Sequence, residues 1–220
     1  MIVVCTIYAN AQKDVTQFLG IPVDGSKEEM VKKIKEKGFK KIRSGAGTVL
    51  KGRFNDRDVM LEVVTNRDKV YRVAIWDAQP LNEKQIRIRY NNLCHQLQHH
   101  PRYVFSTDMT ISDKENIYYE MYANKKDYQA IFYQLPTEVG DSLLTAQAID
   151  VMNRKLISCE LDNLSEAEKK DEAKKILRDK YLDVCANKQV WFTINELRTD
   201  RYVLVMYYDN CYNKDNGKDL

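Results

Sequence analysis

The chain has 220 residues, 44% of them hydrophobic, enough to bury a real core in one large domain or two small ones. Thirty-five lysines and arginines against 32 acids leave a net charge of +3, and the basic residues are interleaved with acids rather than gathered into a stripe. That balance excludes the electrostatic footprint of a nucleic-acid binder, and no apolar run approaches the 18 or so residues of a membrane span.

Residues 1–11, MIVVCTIYANA, form a short apolar run. It ends in Ala9-Asn10-Ala11, the small-residue pattern of a signal-peptidase site, which would leave Gln12 as the new N-terminus. A basic n-region is missing, so the expectation is a short or truncated leader and a periplasmic or secreted protein; an N-terminal strand in a cytoplasmic protein is the alternative.

Ile21-Pro22 fixes an extended approach, because the residue before a proline is pushed out of the helical region. Asp24-Gly25 makes a corner, and Ser26 with Glu29 reads as a capping box that starts a helix at Lys27. Met30, Val31 and Ile34 form its apolar stripe, Gly38 is placed to end it, and Lys32, Lys33, Lys35, Glu36 and Lys37 form a water-facing side. Three strands are then expected at 48–54, 59–65 and 69–76, separated by the turn formers Asn55-Asp56-Arg57-Asp58 and Asn66-Arg67-Asp68. Ile86, Tyr90, Leu93 and Leu97 recur at helical spacing and predict an amphipathic helix across that meander.

Strands are expected again at 103–111, 117–123 and 128–134. Leu144, Ala148, Met152 and Leu156 suggest a helix, and Ser165 with Glu168 repeats the capping box and opens another, carrying Ile176, Leu177, Tyr181 and Val184 inward. A hairpin of 189–196 and 202–208 closes the chain, and residues 210–220 read as a frayed polar tail. The reading is α+β: antiparallel sheet units packed with helices, arranged as a leader over 1–11, one helix-and-sheet unit over 12–101, and a second over 102–220 with a helical insertion at about 137–187. The order of elements resembles the tandem arrangement of β-lactamase inhibitor protein and of small outer-membrane assembly lipoproteins, an analogy of element order alone.

The string GIPVDGSKEEMVKKIKEKGFK, the Gly52-Arg53-Phe54 step, the VYRVAIW run and the ending YYDNCYNKDNGKDL resemble a family of uncharacterised secreted proteins from Bacteroides and related gut bacteria. The resemblance covers roughly residues 17–135 and 189–220. It implies a compact, exported α+β domain and carries over no substrate, cofactor or catalytic residue.

His95 and His99 are four residues apart on one helix face and could direct ring nitrogens at a metal ion. Cys94 points about 100° away from them and no H-E-x-x-H glutamate lies between, so the competing reading is imidazoles that complement a helix C-terminus. Past the leader the cysteines are Cys94, Cys159, Cys185 and Cys211, an even number open to three pairings or to free buried thiols. No phosphate loop, nucleophile elbow, dinucleotide fingerprint or C-x-x-C is present; no cofactor and no catalytic residue is expected.

Fourteen tyrosines stand out. Most fit strand packing, but tyrosine also offers a rigid face with a polar tip, which suits a contact surface. The expectation is therefore a non-enzymatic binding or protein-interaction module whose exposed contacts are Tyr118, Tyr122, Tyr202 and Tyr208, the partner being a protein or envelope ligand. A structural or assembly component of the cell envelope and a metal-binding protein using His95 and His99 are the alternatives.

Overall fold

A computed structural model of the chain describes residues 14–44, 47–136, 150, 154–155 and 164–214. The presumed leader and the helix around Leu144 to Leu156 lie outside these residues, apart from three isolated positions. The fold is α+β, with four helices and two antiparallel sheets among the described residues.

The chain enters through a two-residue hairpin, β1 (Gln17–Phe18) and β2 (Ile21–Pro22), turned by Leu19 and Gly20 at positive φ. Helix α1 (Lys27–Glu36) begins where the sequence places it. Ser26 Oγ accepts from the Glu29 backbone at 3.3 Å, and Gly38, at φ +95, follows the C-cap. Met30 and Ile34 are buried and Val31 packs partly against the core.

Four strands follow as a meander: β3 (Lys40–Ser44), β4 (Gly47–Phe54), β5 (Arg57–Asn66) and β6 (Lys69–Asp77). The last three are the expected ones. Asn55-Asp56 and Arg67-Asp68 are the central pairs of their hairpin turns, all four at positive φ, the backbone that matches the right-handed twist of the flanking strands. β3 adds an edge that sequence reading missed, since only five residues pair and most of them are charged or polar.

Helix α2 (Glu83–Gln98) is opened by Asn82 and Gln85, which cap each other reciprocally, and buries Ile86, Tyr90, Leu93, Cys94 and Leu97. Next come β7 (Tyr103–Val104), helix α3 (Ile117–Ala123) and β8 (Gln129–Gln134). Two expectations fail here. The strand over 103–111 stops after two residues, because Asp108 folds the chain into a turn by accepting from Thr110, and Asn91 of α2 clamps both backbone groups of Ile111 at 2.8 Å. The strand over 117–123 is a helix, capped by Asn116, whose side chain accepts from the Tyr119 backbone at 2.8 Å.

Helix α4 (Glu166–Cys185) starts on the Ser165–Glu168 capping box and turns Ile176 inward. The closing hairpin is β9 (Gln189–Arg198) and β10 (Arg201–Asp209). β10 pairs with β9 on one side and with β6 on the other, so strands from both halves of the chain join one eight-stranded sheet, ordered β3-β4-β5-β6-β10-β9-β8-β7. Helix α1 packs on β5 and β6 and α2 on β10 and β7 over one continuous apolar core, and α4 packs on β7 and β8.

The start of the polar tail is pinned rather than frayed. Asn210 is fully buried and donates to the Val23 carbonyl at 2.8 Å, while Asn213 Nδ2 donates to Asp24 Oδ1 and the Val70 carbonyl, both at 2.8 Å. These bonds tie the C-terminal end of β10 to the corner that leads into α1. Among the described residues no helix is long and apolar enough to cross a membrane.

Candidate functional site

The four tyrosines expected at the surface part company. Tyr202 and Tyr208 belong to β10, a central strand buried on both faces, and alternate residues Tyr202, Leu204, Met206 and Tyr208 point into the core beneath the helices. Tyr202 is fully buried and Tyr208 nearly so. Burial pushes the Tyr202 phenol up to about 12, with Glu196 and Glu83 adding to it, and raises the Tyr208 phenol well above its usual value. Neither side chain is an exposed contact. Alternation could not reveal this, because a strand covered on both faces gives no polar side to set its phase.

Tyr118 and Tyr122 lie on α3, where a four-residue step places them on one face. Their rings stack in parallel, with centroids 5.8 Å apart and planes 5° apart. They are 40% and 68% exposed, and Tyr119 beside them is 58% exposed. Ile117 and Met121, a second four-residue step, lie about 100° round the helix from the tyrosine pair: Ile117 is fully buried and Met121 packs partly into the core. The heptapeptide IYYEMYA thus sets an apolar inner edge beside an aromatic outer one, the four-residue steps bringing the members of each pair together.

The segment that carries this face is held at several points. Glu83 of α2 accepts from Arg87 and from the Ile117 backbone, each at 3.0 Å, joining the two helices. Arg87 donates to the Asp113 and Glu115 carbonyls. At the far end Lys126 and Tyr128 both donate to Glu115, and Asn124 closes the helix with a bond to Glu120 at 2.8 Å. Burial opposes ionisation of Glu115, but the bonds from Lys126 and Tyr128 outweigh it and hold the carboxyl below its usual value. Lys125 lies over the Tyr122 ring at 5.3 Å, and it has no carboxylate partner among the described residues.

The histidine pair is brought together without forming a ligand set. His95 and His99 are exposed near the end of α2 with ring centroids 6.5 Å apart. His99 Nδ1 is 2.7 Å from the His95 carbonyl oxygen, which also accepts the His99 backbone N–H at 3.1 Å, so that nitrogen is turned back onto its own helix end. Among the described residues no three histidine, cysteine or acidic side chains converge as a metal site. Cys94, Cys185 and Cys211 are free thiols, and burial pushes Cys94 up to about 12 and Cys185 up to about 11. Cys159 lies outside the described residues.

Two polar clusters escaped the sequence reading. On the sheet face away from α1 and α2, Arg72 grips Asp209 with bonds of 2.6 and 2.7 Å, Trp191 donates to the same carboxylate at 3.0 Å, and the Arg72 guanidinium lies 4.6 Å from the Tyr207 ring centroid. Asp209 is fully buried and well satisfied, so this cluster locks β6, β10 and β9 together. The second, Asp77 with Arg89, is incompletely bonded and lies beneath an open cleft.

Comparison with protein-family models, with curated proteins and with solved structures returned no match.

Proposed function

We propose that the protein is an exported, non-enzymatic binding module that docks a protein partner on the tyrosine face of α3. The observation that carries this is the stacked pair Tyr118 and Tyr122, exposed on a short helix that is braced from both ends. Large aromatic surface is normally buried; held rigid in water, it can be covered by a partner with little further loss of side-chain freedom. The partner surface that fits is apolar or aromatic, with a carboxylate at its edge to meet Lys125, which sits over Tyr122 without an acidic neighbour of its own. Export is supported by the A-x-A pattern at Ala9 to Ala11 and by the family resemblance.

The experiment is to compare the chromatographic size of the wild-type protein and of the Tyr118→Ala/Tyr122→Ala variant, each drawn from the cells that produce it. Wild type should elute as a complex above its own 25.8 kDa, and the variant, with unchanged circular dichroism, at monomer size. A wild-type protein that elutes as a monomer, or a variant that stays in the complex, would count against the proposal.

A further inference from the structure

A cleft of about 370 Å³ opens between the β4–β5 turn and the outer face of α2, in the range of small-molecule sites. Its helical wall carries Gln85, Arg89, Asn92 and Gln96, whose spacing of four, three and four places them on one face. The opposite wall is the turn itself. Asn55, at φ 49, reaches across to α2, accepting from Arg89 Nη1 and donating to Gln96 Oε1 at 2.7 Å.

The floor is Arg89, which is paired beneath the cleft with Asp77 in a buried ion pair that is not fully bonded. Arg89 is 7% exposed and Asp77 4%, with Arg89 Nη2 and Asp77 Oδ1 3.4 Å apart. Arg89 Nε and Asp77 Oδ2 are both buried without a hydrogen-bond partner among the described residues. Among the described residues the only other cation near that oxygen is Arg57, at 3.9 Å, too far for a hydrogen bond, and its side chain is 37% exposed. A buried donor and a buried acceptor of one ion pair are therefore left open under the same cleft, an arrangement that is costly unless something completes it.

The chemistry of a group that could bond to both atoms follows from that pairing. An anion would satisfy Arg89 Nε but meet the Asp77 carboxylate, and a cation would do the reverse. A hydroxyl does both, donating to Asp77 Oδ2 and accepting from Arg89 Nε. The rest of the wall agrees. Arg57 and Arg89 are balanced by Asp56 and Asp77, so the cleft favours neither sign of charge; the Gln85 and Gln96 side-chain amides offer donors, their oxygens already accepting from the Asn82 backbone and from Asn55, while the Asn92 amide offers a donor and an acceptor. Asn92 is exposed and has no partner among the described residues, so its amide is available to a ligand. Ile88, 51% exposed in the same cleft, supplies an apolar contact for a C–H face.

We propose that this cleft binds a neutral polyhydroxyl ligand, a saccharide, with one ring hydroxyl seated between Asp77 and Arg89 and others on the α2 amides. Arg57, loosely held and half in solvent, swings aside to admit that hydroxyl. The site is separate from the tyrosine face of α3 and does not depend on it.

The test is nuclear magnetic resonance titration of the full chain with glucose, galactose, mannose, N-acetylglucosamine and cellobiose at millimolar concentration, with acetate and inorganic phosphate as anionic probes. At least one sugar should shift the Asn92 and Gln96 side-chain amides and the Arg89 Nε–H signal in a saturable way, and Asn92→Ala should weaken that sugar by about tenfold or more. Asn92 is exposed and unbonded, so the variant keeps the fold. Failure of every sugar, a response to acetate or phosphate instead, or unchanged affinity in Asn92→Ala would each overturn the assignment.

Discussion

Gly52 has to be glycine because of what lies against it. A Cβ built on its backbone would sit 2.4, 2.6 and 2.7 Å from three atoms of the Phe39 ring, whereas carbon atoms rest at about 3.5–4.0 Å. In Gly52→Ala the ring must retreat by about 1 Å. It has little room to do so: Phe39 is 3% exposed and meets the fully buried Phe18 edge-on with centroids 6.3 Å apart. Gly52 itself lies outside the left-handed region, so the cost is overpacking without backbone strain, about 1–3 kcal/mol. Urea unfolding followed by the fluorescence of Trp76 and Trp191 measures it. The midpoint should fall by about 1 M if the slope is about 2 kcal/mol per molar. Phe39→Leu destabilises on its own by removing core volume, yet in the Gly52→Ala background it should restore part of the loss, a coupling of about 1 kcal/mol or more. A Gly52→Ala midpoint within error of wild type, or strict additivity in the cycle, would refute this packing of β4 against the β3 entry.

Three further outcomes are expected. Asn116→Ala should cost about 1 kcal/mol, because the cap of a two-turn helix is removed, and should raise amide exchange through residues 117–123 while leaving β9 and β10 protected. Iodoacetamide on the native protein at about pH 8 should modify Cys211, which is only partly buried, well before the buried Cys94 and Cys185; burial raises all three thiols, so access sets the order, and peptide mass spectrometry after a timed quench reads it. Glu115 has a folded value below its usual 4.5, so its contribution to stability is present above that value and is lost as pH falls through the lower folded one. Between about pH 6 and pH 3 the urea midpoint of wild type should therefore fall further than that of Glu115→Gln.

What the sequence disclosed was local. The turns at Asn55-Asp56 and Arg67-Asp68 delimited β4, β5 and β6 because those residues tolerate positive φ, and α1 and α2 followed from a cap and a four-three-four apolar period. The α3 segment was misread because IYYEMYA satisfies two periods at once: Ile117, Tyr119 and Met121 alternate as a strand would, while Ile117 with Met121 and Tyr118 with Tyr122 repeat as a helix would. The deciding signal was outside the heptapeptide, in the capping side chain of Asn116. Tyr202 and Tyr208 were misjudged for a different reason, since β10 lies between β6 and β9 with both faces covered and alternation cannot say which side is wet.

Long-range pairing was out of reach altogether. Asn210 reaches the Val23 carbonyl across 187 positions, and Arg72 reaches Asp209 across 137, so the anchored tail and the sheet lock depend on topology that no local pattern encodes. The cleft shows the same limit at shorter range. Asp77 ends β6 and Arg89 lies one and a half turns into α2, only 12 residues on, yet their open bonding sites become visible only when the β4–β5 turn closes over them.

The most direct test of the docking surface on α3 is photo-crosslinking in living cells from a benzoyl-phenylalanine placed at position 122, with the same residue at position 36, exposed on α1, as a control. The account predicts a discrete adduct of defined mass from position 122, lost when Tyr118→Ala and Lys125→Glu are added, and none from position 36. No adduct from position 122, an equal one from position 36, or an adduct that survives those two substitutions would contradict it.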